Sequence, residues 1–414
     1  MEQGRAAITP QELVERARAL RPRLIAEQAE TEERSTYSEG LHEAFLEAGF
    51  YRMYVPKRYG GLEVDVPTFM RVGVELGRGD MSAAWGMCLA ANHALQVASW
   101  FPRELQDEVF ANGDFRAASV AAPTVKATPV DGGYQLEGAV AYCSGIPWST
   151  YYMGQAMLPG SNPDGSPRIG LFVAPRSAFT ILDDWGHTLG LNGTGSNSIR
   201  FDGAVIPAHA MIEDCNMVDV RVEDGTPGLE LHGNPMYGGR ALVIFTLSLA
   251  CTAIGGAYQA LDIFADWAHN KPTPAPPFIP RVDDVDFQRW YGAAFVKVQT
   301  AEAAMLRCAE EHMELCRSNA SGERPYTWFE DARLAAIARE TMVNVWEAVE
   351  QNLHRTIGSS AGKNGEQFQR IFRDLAMLAG HRNTTFRESF FRQLGAMSFG
   401  VESPSPGGTW NPQR

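Results

Sequence analysis

Residues 185–207 read WGHTLGLNGTGSNSIRFDGAVIP. A Gly-Leu pair leads into Gly193-Thr194-Gly195-Ser196. Residues 198–201 then alternate as a strand does, and Val205-Ile206-Pro207 closes the run. Glycine lets a backbone adopt φ > 0 and approach a flat ligand closely. Thr and Ser hydroxyls beside free loop N–H groups suit a phosphate or the polar edge of a ring. Alone, the tetrad reads as a Gly-rich turn between two strands. Its surroundings decide whether it is more.

Around it, residues 115–215 hold roughly six to eight short segments of β-rich composition, punctuated by Asp131-Gly132-Gly133 and Pro163-Asp164-Gly165. That spacing predicts a small antiparallel barrel or sandwich. No βαβ alternation and no G-x-G-x-x-G opening a helix occurs, which argues against a Rossmann nicotinamide site.

Both flanks are helical by period. Upstream, Thr9 is an N-cap, Pro10 a first-turn proline, and Leu13, Ala17, Leu20 and Leu24 share a face. Residues 81–101 are apolar nearly all round, with Asn92 and His93 embedded, so this helix is predicted to be buried. A buried Asn-His pair needs hydrogen-bond partners or a ligand. Downstream, residues 237–400 predict long antiparallel helices interrupted by the Pro-rich KPTPAPPFIP at 271–280. The expected architecture is α+β: an N-terminal helical domain (1–113), a middle β-domain (114–216) and a C-terminal four-helix bundle (217–414).

The 414 residues carry a net charge of −13, which argues against a nucleic-acid partner and offers no basic footprint for a membrane surface. The six cysteines lack C-x-x-C spacing and the nine histidines lack H-x-x-x-H spacing, so no metal site is expected. No signal peptide and no membrane span are recognised, so reduced thiols and a cytoplasmic location are expected.

Helix–β–helix order at this length, with a G-L-x-x-T-G-S loop ahead of FDGAVIP, resembles the acyl-CoA dehydrogenase superfamily. More specifically it is similar to the flavin-dependent monooxygenase branch, which includes the oxygenase components of two-component phenol and para-hydroxyphenylacetate hydroxylases. The resemblance implies reduced flavin (FMNH2 or FADH2) taken from a separate NAD(P)H:flavin reductase. It also implies O2 as co-substrate through a C4a-hydroperoxyflavin, a small aromatic, phenolic substrate, and a homotetramer. N- or S-oxygenation by the same intermediate is the alternative.

By that resemblance, Ser144 in YCSGIPW (142–148) is the candidate partner of flavin N5, and Thr194 and Ser196 are further flavin contacts. After Arg370 to Asp374, the stretch AGHRNT (379–384) holds His381 where the dehydrogenases carry a catalytic glutamate. An imidazole there matches the monooxygenases. His93 and Ser119 occupy positions similar to substrate contacts of the phenol hydroxylases. His93 is expected to act as base toward the hydroxyl, Ser119 to orient it. Trp148 could cover a flavin face and Arg240 could contact the ring edge or phosphate. The Arg-x-x-Phe-Gly segment by which dehydrogenases reach the FAD pyrophosphate is missing, which leaves FMN and FAD both open. A dehydrogenase with a displaced base would use a carboxylate such as Glu347 or Glu350.

Overall fold

The computed structural model describes residues 8–382 and 386–401. Asn383, Thr384 and the 403–414 tail lie outside the described residues. Five helices come first: α1 (Pro10–Arg34), α2 (Glu39–Ala48), α3 (Val66–Gly77), α4 (Met81–Trp100) and α5 (Arg103–Val109). Their starts follow the caps in the sequence. The Thr9 hydroxyl accepts from Glu12 N at 3.2 Å, and the Asp80 carboxylate accepts from Ser82 N and Ala83 N at 2.9 and 3.1 Å. Pro22 lies inside α1 without ending it. Every residue of α4 except Leu89 is buried, as its all-round apolar surface predicts.

The middle segment forms one sheet, β1 (Ala117–Val130), β2 (Gly133–Val140), β3 (Tyr151–Ser161), β4 (Pro167–Pro175), β5 (Thr180–Ile181), β6 (Ile199–Pro207) and β7 (Met211–Ile212), in the order β5-β6-β2-β1-β3-β4-β7. The expectation of a wholly antiparallel sheet is corrected at one place: β1 and β3 are parallel, with Ala117 opposite Tyr151. β2 returns antiparallel to β1, and residues 141–150 then cross the end of β1 to its other edge. A strand laid there must run the same way as β1. The crossing segment is the one that carries Ser144.

The chain continues through α6 (Pro227–His232) into α7 (Leu242–Asn270), α8 (Val285–Ala320) and α9 (Trp328–Glu347). A π-helical turn at Ala348–His354 leads into the short α10 (Arg355–Ile357), followed by α11 (Gln367–Ala379) and α12 (Arg387–Ser398). By length and composition α7 could cross a membrane, but its most apolar stretch is 94% buried inside the protein. It is the core helix. Glycines bring α3 against it: a Cβ on Gly77 would lie 2.7 Å from Thr252 O. The N-terminal helices and the bundle therefore pack backbone to backbone, and the sheet closes against α4.

Candidate active site

Two loops at one end of the sheet are joined by backbone hydrogen bonds. Gly145 N donates to Thr194 O at 3.0 Å and Cys143 N to Asn197 O at 3.2 Å. Gly145 has φ +77, and a Cβ there would sit 2.5 Å from Gly86 O on α4. Gly190 is equally constrained from the other side, since its Cβ would meet Arg373 O of α11 at 2.2 Å. These two glycines thus admit the backbones of two helices. Asp374 completes the joint: its carboxylate accepts from Leu191 N at 2.5 Å and from Ser82 Oγ at 3.2 Å. Beside it, Arg370 pairs with Asp80 at 3.0 Å.

This arrangement gathers three hydroxyls. Ser144 Oγ lies 2.7 Å from Ser196 Oγ, which lies 2.6 Å from Thr194 Oγ1, and Thr194 Oγ1 donates to Leu191 O at 2.8 Å. Trp85 Nε1 on α4 donates to Ser144 Oγ at 3.1 Å. All three hydroxyls and Trp85 line a cavity of about 1780 Å³ between the sheet, α4, α7, α9 and the α11–α12 corner. A single small-molecule site typically occupies roughly 300–1000 Å³. This one has room for a ring system and a second molecule.

His381, just beyond α11, lines the same cavity and meets the Trp85 ring edge-on at 5.5 Å between centroids. Burial, then the nearby Arg339 and Arg382 guanidiniums, pull its pKa down to about 4. It is a neutral imidazole at physiological pH.

His93 on α4 and Ser119 on β1 line the same cavity. His93 is 3% exposed, and its Nδ1 lies 2.6 Å from Ala117 O. A carbonyl oxygen only accepts, so Nδ1 carries the hydrogen and Nε2 keeps a lone pair. Burial lowers the His93 pKa to about 4, which keeps that lone pair free of a proton near neutrality. Ser119 Oγ is buried with no hydrogen-bond partner. An orphaned buried hydroxyl and an acceptor imidazole lining one cavity fit a polar ligand group. Leu89, Val120, Met217, Leu242, Phe245 and Leu249 supply apolar walls.

Two residues expected at the flavin make other contacts in this structure. Trp148 is not among the cavity-lining residues. Its ring stacks on His42 at 4.4 Å and on Tyr37 at 5.6 Å, and its Nε1 donates to Thr36 Oγ1 at 3.0 Å. It anchors the crossing loop to the N-terminal helices. Arg240 does not line the cavity either. It is buried in ion pairs with Asp219 (3.3 Å) and Glu223 (2.8 Å), and its Nε donates to Tyr326 O. The helix after it starts at Leu242, where the Asp331 carboxylate accepts from Leu242 N and Val243 N.

The displaced-base candidates are also outside. Glu347 pairs with Lys297 and Glu350 with Arg355. Among the described residues the sole carboxylate lining the cavity is Asp164, whose oxygen is held by Ser166 in a turn. Among the described residues no group of three or more His, Cys, Asp or Glu could hold a metal ion.

Sequence reasoning missed Trp85, Phe245 and Arg339 as lining residues. Trp85 was findable, since Trp85, Leu89 and His93 recur every fourth residue on one face of α4. Arg339 gave no signal: α12 buries it, with the Phe390 ring 4.0 Å from its guanidinium carbon.

The fold and these two groups of side chains in one cavity define a class. The acyl-CoA dehydrogenase N-terminal domain model matches residues 9–110 and the C-terminal domain model residues 247–386, together more than half of the sequence. The chain belongs to the acyl-CoA dehydrogenase superfamily.

Its relatives there are oxygenases. It is 28% identical over 376 residues to the flavin-dependent monooxygenase oxygenase subunit HsaA of Rhodococcus jostii, covering 87% of this chain and 91% of the relative. It is 26% identical over 382 residues to the oxygenase component of p-hydroxyphenylacetate 3-hydroxylase of Acinetobacter baumannii, covering 87% and 82%. Of solved structures, XiaF from Streptomyces sp. in complex with FADH2 and glycerol superposes with a TM-score of 0.85 at 24% identity, covering 96% of this chain and 97% of that one. At that identity the likeness shows the fold.

Proposed function

We propose that this protein is the oxygenase component of a two-component flavin-dependent monooxygenase that hydroxylates an aromatic, phenol-type substrate. One observation carries the reading. A single cavity with apolar walls holds a hydroxyl cluster suited to a flavin edge and, apart from it, an acceptor imidazole with an orphaned hydroxyl. The relatives named above as oxygenase components support it.

Reduced flavin, FMNH2 or FADH2, supplies the activation of O2 when bound. Ser144 would meet its ring, with Thr194, Ser196 and Trp85 fixing the Ser144 hydroxyl and neutral His381 beside them. The apolar lining excludes water, which strengthens each fixed hydrogen bond. His93 Nε2 accepts the hydrogen of the substrate hydroxyl and Ser119 orients the oxygen. Withdrawal of that proton raises the electron density of the aromatic ring. Among the described residues Asp164 is the sole carboxylate at the cavity, and Ser166 holds it in a turn, so no carboxylate among them is positioned for carbon-bound proton abstraction. That weighs against the dehydrogenase alternative.

The reducing equivalents come from a separate NAD(P)H:flavin reductase. Val285, Phe295 and Val296 on α8 are 75%, 41% and 61% exposed, an apolar face that supports a homotetramer through the bundle. All six cysteines are free thiols, which fits a reducing cytoplasm.

The test is anaerobic mixing with FMNH2 or FADH2, then a pulse of O2, followed by absorbance. A long-lived species absorbing to the blue of oxidised flavin is expected. Immediate oxidised flavin at the free-solution rate would refute the reading.

A further inference from the structure

We propose that Thr194 sets the direction of the hydroxyl chain, makes Ser144 a hydrogen-bond acceptor toward the flavin, and so selects reduced over oxidised flavin. This rests on the flavin reading above.

Each hydroxyl has one hydrogen to donate. Thr194 Oγ1 lies 2.8 Å from Leu191 O, and a carbonyl can only accept, so the Thr194 hydrogen is committed there. The 2.6 Å contact between Ser196 Oγ and Thr194 Oγ1 must then use the Ser196 hydrogen. The 2.7 Å contact between Ser144 Oγ and Ser196 Oγ must in turn use the Ser144 hydrogen. Trp85 Nε1 adds a donor to Ser144 at 3.1 Å. Ser144 Oγ has therefore given its hydrogen inward and filled one lone pair. It faces the cavity with the other lone pair and nothing to donate.

Thr194 and Ser196 are 1% and 4% exposed, so bulk water offers the chain no competing acceptors. A carbonyl three residues upstream of Thr194 thus orients a hydroxyl on the neighbouring loop. Reduced flavin carries a hydrogen on N5 and meets the Ser144 lone pair as a donor. Oxidised flavin presents a bare lone pair at N5, and two acceptors then face each other. Thr194 and Ser196 are positioning residues that act through Ser144.

The experiment is a pair of equilibrium titrations, oxidised flavin in air and the same flavin reduced under anaerobic conditions, with FMN and FAD each tested. The unaltered protein should bind the reduced form more tightly. Thr194→Val keeps the side-chain shape and removes the terminal donor. Ser196 then donates to Ser144, and the Ser144 hydrogen turns outward. The ratio of oxidised to reduced Kd should fall about tenfold, the effect of one mismatched buried hydrogen bond. Thr194→Ser restores the hydroxyl and should restore the ratio, which loss of packing alone would not produce. Ser196→Ala frees the Ser144 hydrogen directly and should shift the ratio the same way, which keeps the proposal testable if Thr194→Val does not fold. Normal flavin binding with an unchanged ratio in both variants would overturn this proposal alone. No binding of either flavin form by the unaltered protein would overturn the functional reading with it.

Discussion

His93 Nδ1 lies 2.6 Å from the carbonyl oxygen of Ala117, the first residue of β1. That contact holds the imidazole in one tautomer and leaves Nε2 as an acceptor. His93→Ala is expected to lower kcat/KM for a phenolic substrate by about 10²–10⁴-fold, the usual range for a general base. Reduced-flavin affinity should stay within about twofold, because the hydroxyl cluster is formed by other residues. Parallel flavin titration and steady-state kinetics check this. Intact hydroxylation would leave His93 as a core histidine.

Ser119 Oγ is buried without a partner. Removing an unsatisfied hydroxyl costs the fold little, whereas a ligand bond lost costs about 1 kcal/mol. Ser119→Ala should therefore raise KM for a hydroxylated substrate roughly fivefold, with an unchanged melting temperature. A lower melting temperature with unchanged KM would count against the substrate contact.

Gly190 admits the Arg373 carbonyl, and a Cβ there would come within 2.2 Å of it. Gly190→Ala must push α11 away from the loop, and with it His381. A loss of flavin affinity exceeding about tenfold is expected, together with a stability loss of about 1–3 kcal/mol for overpacking. Flavin titration and urea unfolding measure both. Unaltered flavin affinity would show that α11 does not set the site.

The ion pairs of Arg240 predict a structural role for it. Arg240→Ala removes the ion pairs to Asp219 and Glu223 and leaves Tyr326 O without the Arg240 donor. A destabilisation of about 3 kcal/mol is expected. Flavin affinity in the folded fraction should be unchanged. Selective loss of flavin binding at full stability would reverse that assignment.

Stability should fall in mild acid. Burial holds His93, His381 and His42 down to about 4, and Arg116 adds to the effect at His42. Between pH 6.5 and 4 the unfolded chain takes up protons at these rings and the folded one does not. Their contribution is full above about 6.5 and is lost as pH falls through about 4. Asp331 and Asp374, raised to about 6 by burial, act the other way, losing stability as pH rises from about 4 to 6. With His312, which burial holds down to about 3, four rings outweigh these carboxyls, so the melting temperature should decline from pH 6.5 to 4.5. A rise over that interval would contradict the assignment.

Much of the fold was legible in the chain. The helical periods at 9–34 and 81–101, the Thr9 cap, and the turn signals between strands are local, and local signals survive any packing. His93, Ser119, Ser144, Thr194, Ser196 and His381 were nameable from motifs and do converge on one cavity. Trp148 and Arg240 were nameable too, yet the structure gives them other partners. An indole or a guanidinium has the same chemistry against a ligand as against His42 or Glu223, and sequence alone does not say which it meets. Arg339 was hidden because α12, a separate helix, covers it.

The sequence by itself determined the order helix–sheet–helix, the burial of α4, and the glycine-rich stretch where backbone can come close, because periodicity and glycine act over a few residues. Tertiary structure alone decided that β3 lies parallel to β1, which swings Ser144 across the sheet end. It also decided that Ser144 meets Ser196 and Trp85, residues 52 and 59 positions away. Such meetings depend on how apolar faces pack, and the same faces could be packed in other registers without altering any local signal. The direction of a hydroxyl's single hydrogen is a further step removed, since it depends on a carbonyl that only the folded loop brings within reach.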